Sequence, residues 1–197
     1  MSTTGDGRPL IAIKVGGGLT AFPGALQHVS RALTELAARY RILVLPGGGP
    51  FADAVRAFQA RESLSADAAH WMAILAMDQY AQVLAERISG AVLVDEPGAV
   101  LSALKERVVV LAPYRWMRAA DVLPHSWNAT SDSVAAFVAG ALDASHLVLI
   151  KPVDSADPGM VDACFASVLP SNLPWVVISW QQVDQLPARL SSARFIR

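Results

Sequence analysis

Two stretches of the chain deliver three consecutive glycines at the end of an apolar run: Lys14-Val15-Gly16-Gly17-Gly18 and Pro46-Gly47-Gly48-Gly49-Pro50. Glycine lets the backbone come close to a ligand and turn its N–H groups outward, which suits phosphate oxygens. A helix starting directly after such a turn adds further donors and a partial positive charge. Neither turn is a Walker loop, because no Gly-Lys-Ser/Thr follows the glycines. The dinucleotide spacing also fails, since Ala21 stands where Gly16 and Gly18 would require a third glycine. The alternative for a single such turn is a tight bend with no ligand. Two at one sheet edge would form facing cradles, as transfer between two bound substrates requires.

The lysines sharpen this reading. Lys14, Lys105 and Lys151 are the only lysines among 16 basic residues. Lys105 falls at a helix end and reads as solvated, whereas Lys14 and Lys151 lie within or at the end of apolar strand-like runs. A buried ammonium is costly unless paired, so a structural salt bridge is the plain alternative for each. At the ligand-binding edge of a sheet, two ammonium groups would stabilise the charge on a transferring phosphoryl group. Asp132, in Thr130-Ser131-Asp132-Ser133, is either a helix cap or a carboxylate that orients the lysines or holds Mg²⁺. Asp154 and Asp157, in the loop after Lys151, are candidate ribose or metal contacts and alternatively turn-formers. Pro113-Tyr114-Arg115-Trp116-Met117-Arg118 offers aromatic faces and two guanidinium groups; Arg115, Trp116 and Arg118 would suit a flat ring carrying a phosphate, with Trp127 stacking as well. Aromatic residues closing the core and arginines in solvent are the alternative there.

The elements that must position these residues follow an alternating pattern of short strands and helices, the signature of a mainly parallel sheet covered on both faces. Strands are expected at Leu10–Val15, Ile42–Leu45, Ala91–Val94, Val108–Leu111, His146–Ile150 and Trp175–Ser179. Helices are expected near Gly24–Arg39, Phe51–Arg61, from Ser65 or Asp67 to Ile88, Gly98–Arg107, Asp132–Leu142 and Gly159–Ala166. Ser179 with Gln182 suggests a capping box for a last short helix, and Arg194–Arg197 an edge strand. Ala73, Met77, Tyr80, Leu84 and Ile88 share one face of the longest helix, which fits either core packing or a subunit interface. In open parallel sheets ligands bind beyond the carboxyl ends of the strands, where both glycine turns fall. Residues 1–197 read as one domain, with 1–8 a flexible lead-in.

Composition excludes several classes. Of 197 residues 53% are hydrophobic and 17% charged, which rules out a disordered chain, and the formal net charge of −1 offers no field for nucleic acid or an anionic membrane. No apolar run is long enough to cross a bilayer and Met1–Arg8 carries no leader pattern, so a cytoplasmic protein is expected. So apolar a chain is also expected to form homo-oligomers. Cys164 is the sole cysteine, which leaves no intrachain disulfide or cysteine-based zinc site; in an apolar stretch it reads as core filler. His28, His70, His125 and His146 lack metal-ligand spacing, and His125 near Trp127 is at most a substrate contact.

Taken together, these motifs resemble the amino-acid kinase family, which includes acetylglutamate, aspartate and uridylate kinases. Ile11–Gly18 is similar to that family's first strand and Lys-x-Gly-Gly-Ser turn, Val44–Pro50 to its second glycine turn, and Asn128-Ala129-Thr130-Ser131-Asp132-Ser133-Val134-Ala135-Ala136 to its Asp-bearing helix start. The resemblance implies a three-layer αβα sandwich that moves the γ-phosphoryl of ATP, with Mg²⁺, to a carboxylate or phosphate oxygen of a small molecule. It implies Lys14 as transition-state stabiliser, Gly16, Gly17 and Gly18 on the nucleotide phosphates, Gly47, Gly48 and Gly49 on the acceptor, and Asp132 as organiser of the lysines. Within the family, the short length and the segment Ser126-Trp127-Asn128 through Ser133 look most like members that phosphorylate an aromatic-ring phosphate ester. The chain departs from the pattern in three places. Gly18 replaces the usual Ser, Lys151-Pro152-Val153-Asp154-Ser155 replaces Thr-Asp-Val-Asp-Gly, and the later Gly-Thr-Gly-Gly with its second catalytic lysine has no counterpart. Lys151 is expected to take over that lysine's role. The competing reading is a non-catalytic nucleotide-binding, anion-binding or storage protein on the same fold.

Overall fold

The computed structural model describes residues 7–153 and 160–191. Six strands form one sheet in which every pairing is parallel: β1 (Leu10–Val15), β2 (Arg41–Pro46), β3 (Ala91–Val94), β4 (Val108–Leu111), β5 (His146–Lys151) and β6 (Trp175–Ser179), in the order β3-β4-β2-β1-β5-β6. The helices are α1 (Ala25–Leu36), α2 (Gly49–Glu62), α3 (Ala66–Arg87), α4 (Pro97–Ala103), α5 (Tyr114–Ala120), α6 (Ser131–Ala141), α7 (Phe165–Val168) and α8 (Leu186–Ser191). All six residues of β1 are buried, so the strand reads as a continuous apolar run rather than an alternating one.

The core lies on both faces of the sheet. Leu10, Ala12, Leu147 and Leu149 face one layer, with Val134, Ala135 and Val138 of α6 and Phe165 of α7. Ile11, Ile13, Val15, Val148 and Ile150 face the other, with Val29 and Leu33 of α1 and Leu186 and Leu190 of α8. The period of two in a strand therefore places Lys14 on the α6 face, and Lys151, two residues beyond Leu149, on the same face. The chain leaves β1 into α1 on one face and leaves β5 towards α7 on the other. The β1/β5 boundary is thus the switch point at which open α/β sheets gather ligands, and both lysines sit there.

The long helix α3 serves both layers. Ser65 caps it by accepting the Ala68 N–H at 3.1 Å. Trp71, Ile74 and Met77 join the layer of α6, whereas Tyr80, Ala81 and Leu84 join that of α1. Core packing accounts for its apolar residues, though Leu75 remains 41% exposed.

Four expectations need correction. The helix expected over 159–166 is a single turn at Phe165–Val168, because Asp162 and Cys164 are committed to the start of α6. The Gly98–Arg107 helix ends at Ala103. The stretch 113–118, for which no helix is expected, opens the short helix α5, whose Tyr114 N–H donates to Asp78 Oδ1 at 3.0 Å. Ser179 accepts from Gln181 N–H at 3.3 Å, opening a 3-10 turn, Trp180–Gln185, before α8 instead of a capping box with Gln182. Most of the lead-in 1–8, and the suggested strand at 194–197, lie outside the described residues.

Candidate active site

The two glycine turns touch backbone to backbone. Gly16 N–H donates to Ile150 O at 2.8 Å and Gly47 N–H to Val15 O at 2.8 Å, so these two amides extend the sheet rather than face a ligand. The next residues do the close packing. A Cβ on Gly17 would overlap the Gly49 backbone, and one on Gly47 would overlap that of Gly17. Gly49 adopts a positive φ of 56°, a conformation glycine reaches without steric cost. Beyond this contact Gly17, Gly18, Gly48 and Gly49 line a cleft of about 340 Å³, closed by α2, α3 and the loop leading into α6. The first amides of α2 lack intrahelical acceptors by helix geometry and stand at this wall.

Beside the turns lies a buried charge cluster. Asp132, in the first turn of α6, is 3% exposed and Lys14 5%. Lys14 Nζ lies 2.9 Å from Asp132 Oδ1, and Lys151 Nζ lies 2.6 Å from Asp132 Oδ2 and 2.7 Å from the Met160 carbonyl. Burial alone would favour the neutral acid, but the charges of Lys14 and Lys151 outweigh it and hold the Asp132 carboxyl below its ordinary range. Burial also lowers Lys151, as does the charge of Lys14, while Asp132 opposes the shift. Two ammonium groups on one carboxylate leave a net charge of +1 at the switch point, directed at anions. Asp132 is therefore not the cap of its own helix.

That cap is Asp162. Its Oδ2 accepts from Thr130 N–H at 2.8 Å, Thr130 Oγ1 at 2.7 Å and Ser133 N–H at 3.0 Å, and its Oδ1 accepts from the Ser133 hydroxyl. A carboxylate at this position satisfies orphan amides and meets the positive end of the helix dipole. It also frees Asp132 for the lysines.

The cleft's far wall is mixed. Ala69, Ala73, Ile74, Met77, Leu123 and Val134 form an apolar floor. Arg56 stacks over Trp127 at 4.2 Å from the ring centre, Trp127 Nε1 donates to Gln59 Oε1 at 2.7 Å, and Arg56 pairs with Asp53 at 3.1 Å. Trp127 lines the cleft along with Gly17, Gly18, Gly48 and Gly49.

Other candidates lie elsewhere. Arg115 pairs with Glu96 and, at 3.7 Å, with Asp95; Arg118 covers the Trp71 ring at 4.3 Å; Trp116 packs on the core. None of the three lines the cleft, because α5 directs Arg115 to the surface, Trp116 to the core and Arg118 onto the Trp71 ring. Asn128 is exposed, and its carbonyl accepts from Cys164 N–H at 3.0 Å, a tie between loops. Asp154 and Asp157 lie outside the described residues. His125 stands behind the cleft wall and His70 forms part of it. The sequence does not single out Arg56, Gln59, His70 or Asp162 as site residues. Arg56 and Gln59 at i and i+3 on an exposed helix carry no signal, and Asp162 acts across 29 to 32 residues.

Paired glycine turns, a lysine–aspartate–lysine cluster of net positive charge and an adjoining half-apolar cleft meet at the carboxyl edge of the sheet of this α/β protein. Residues 9–167 match the amino acid kinase family, and the chain belongs to that family. Over 147 residues it is 31% identical to [5-(aminomethyl)furan-3-yl]methyl phosphate kinase of Methanocaldococcus jannaschii; the match covers 72% of this chain and 65% of that relative. Its fold is similar to that of a uridylate kinase from Archaeoglobus fulgidus (TM-score 0.68, 17% identity, 90% of this chain and 94% of that one). An aspartate kinase from Synechocystis is also similar (TM-score 0.70, 14% identity, 87% of this chain and 38% of that one). The mainly parallel three-layer sandwich expected from the sequence is the fold observed.

Proposed function

We propose that the chain is a kinase that moves the γ-phosphoryl group of ATP to a phosphate oxygen of a small aromatic-ring phosphate ester. The substrate we assign is [5-(aminomethyl)furan-3-yl]methyl phosphate, which would become its diphosphate on a route to methanofuran. The observation that carries this reading is Asp132 holding Lys14 and Lys151 together beside the two touching glycine turns. In the transfer, the bond between the γ-phosphorus and the bridging oxygen to the β-phosphate breaks, and a bond from that phosphorus to the acceptor oxygen forms. The electron pair leaves with ADP. The acceptor oxygen is already anionic, so no side chain has to remove a proton.

Gly17 and Gly18 would offer backbone donors to the nucleotide, and Gly48, Gly49 and the start of α2 to the acceptor's phosphate. Lys14 and Lys151, fixed by Asp132, would meet the charge that grows on the equatorial oxygens. Among the described residues no group of three His, Cys, Asp or Glu is arranged for a metal. Mg²⁺ therefore belongs to the proposal as the companion of ATP, neutralising phosphate charge, without a protein ligand assigned to it.

Incubation with ATP, Mg²⁺ and the furan phosphate should give ADP and the furan diphosphate in equal amounts. Nucleotide binding with no turnover on this or related phosphate esters would instead favour the non-catalytic binding protein.

A further inference from the structure

His70, on α3, is a largely buried polar side chain that faces the cleft. It is 8% exposed, lines the cleft among Ala69, Ala73 and Ile74, and has no side-chain hydrogen bond among the described residues. Its outer face is fully occupied. His125 stacks on it with ring centres 4.3 Å apart and planes 18° apart, and Trp71 meets it edge-on at 4.7 Å. The imidazole is held on two sides, and its nitrogens stay open to the cleft it lines, where a ligand can reach them.

What lies behind it sets the sign of that ligand. His125 is gripped from both ring nitrogens, by Asp67 Oδ1 at 2.6 Å and Asp121 Oδ1 at 2.8 Å. The hydrogen bond to Asp121 chiefly, then that to Asp67, raises His125 and favours its cationic form. Burial first, and then the charge of His125, lowers His70, which favours the neutral ring with one nitrogen able to accept. With His125 protonated, the group Asp67–His125–Asp121 carries a net charge of −1, and with it neutral −2. The group behind His70 is net negative in either case, with His125 in contact with the ring and the two carboxylates beyond it. Arg118, the cation over the neighbouring Trp71 ring, sits 4.3 Å from that ring's centre.

We propose that His70 is the specificity-determining residue of the acceptor cleft and that it receives a primary ammonium group carried by the acceptor. The ammonium donates to the accepting imidazole nitrogen and is attracted by the two carboxylates behind it. The acceptor phosphate meanwhile lies at the glycine turns and the ring over Met77, Leu123 and Trp127. The substrate class is thus an aminoalkyl-substituted aromatic phosphate ester. The inference rests on the kinase reading above and deepens it.

The test compares two esters by calorimetry and steady-state kinetics: [5-(aminomethyl)furan-3-yl]methyl phosphate and its counterpart with methyl in place of aminomethyl. The native protein is expected to prefer the amine in KM and Kd on the order of tenfold or more. In His70→Leu the preference should collapse to about equal binding. His70→Gln, whose amide oxygen still accepts, should restore part of it, and thermal melts would report whether each variant is folded. A native protein that treats the two esters alike, or a folded His70→Leu that keeps the preference, overturns the assignment of His70 while leaving the kinase reading intact. Failure of the native protein to bind or phosphorylate either ester removes the kinase reading and this inference with it.

Discussion

Asp162 takes both the backbone N–H and the hydroxyl of Thr130, at 2.8 and 2.7 Å, across 32 residues of chain. A residue beyond β5 thereby caps the helix that carries the charge cluster. Asp162→Ala leaves the Thr130 and Ser133 amides without that acceptor, and loss of a helix cap costs about 1–2 kcal/mol. Chemical denaturation should register that loss. Turnover should fall as well, since the position of Asp132 depends on the first turn of α6. A variant with unchanged stability would remove Asp162 as the cap.

Lys151→Met should raise the pKa of Asp132, because one of the two cations holding it down is gone. The sign follows from linkage. A carboxyl lower in the folded than in the unfolded chain contributes stability above the unfolded value near 3.9 and loses it as pH falls through the folded value. With its pKa raised, that loss begins at higher pH, so acid unfolding should start earlier on acidification than in the native protein. Lys151→Ala should also lower kcat by roughly 100-fold, the scale of losing one charged stabiliser of the transition state. Near-normal turnover would sink the proposal that Lys151 replaces the second lysine of related kinases.

Most of the scaffold is legible directly in the sequence. Each strand is a compact run of Val, Ile and Leu bounded by turn residues, and glycine marks where β1 and β2 stop. Lys14 and Lys151 stand out because a charge inside an apolar strand needs a partner, and Asp132 is the acid at the right helix start. The failures share one cause. Chemical type alone makes Arg115, Trp116 and Arg118 candidates, but their direction is set by α5 and by the bond from Tyr114 N–H to Asp78, a residue 36 positions away. The same blindness hides Asp162 and His70, whose roles exist only once distant elements meet.

Gly17 and Gly18 should respond differently to alanine. At Gly17 the new methyl would collide with the Gly49 backbone, which cannot rotate away. Destabilisation of about 1–3 kcal/mol or more is expected, the scale of forced overpacking. At Gly18 the nearest atom is Pro152 Cγ at 3.3 Å, a side-chain contact that a small shift relieves. Gly18→Ala should fold normally, and any loss should appear in KM for ATP. Equal melting temperatures for the two variants would contradict the backbone contact between the turns.

Of Arg56, Arg115 and Arg118, only Arg56 should matter to the acceptor. Arg56 lines the cleft beside Trp127, whereas Arg115 and Arg118 are engaged outside it. Losing a charge-assisted bond to a phosphate costs about 1.5–3 kcal/mol, so Arg56→Ala should raise KM for the furan phosphate at least tenfold. KM for ATP should change little. Arg115→Ala and Arg118→Ala should leave both constants within about twofold, because neither side chain lines the cleft and surface ion pairs contribute little. An acceptor KM that rises with Arg115→Ala would move the acceptor site to α5.

Asp78 links α3 to α5, and its carboxyl titrates towards neutral pH. Burial raises it to about 6, with the Tyr114 N–H bond opposing and the charge of Asp95 adding to the shift. Here the folded chain holds the proton more tightly than the unfolded one. Its contribution is therefore fully present below pH ~4 and is lost as pH rises through about 6, with a slope set by the extra bound proton. Asp78→Asn keeps an oxygen to accept from Tyr114 N–H but cannot ionise. That variant should lose the decline in stability expected of the native protein between about pH 4 and 6, and should be the more stable of the two at pH 7. Melting temperatures measured across that window decide the matter. Parallel pH profiles for the two proteins would mean that Asp78 ionises as freely in the folded chain as in the unfolded one.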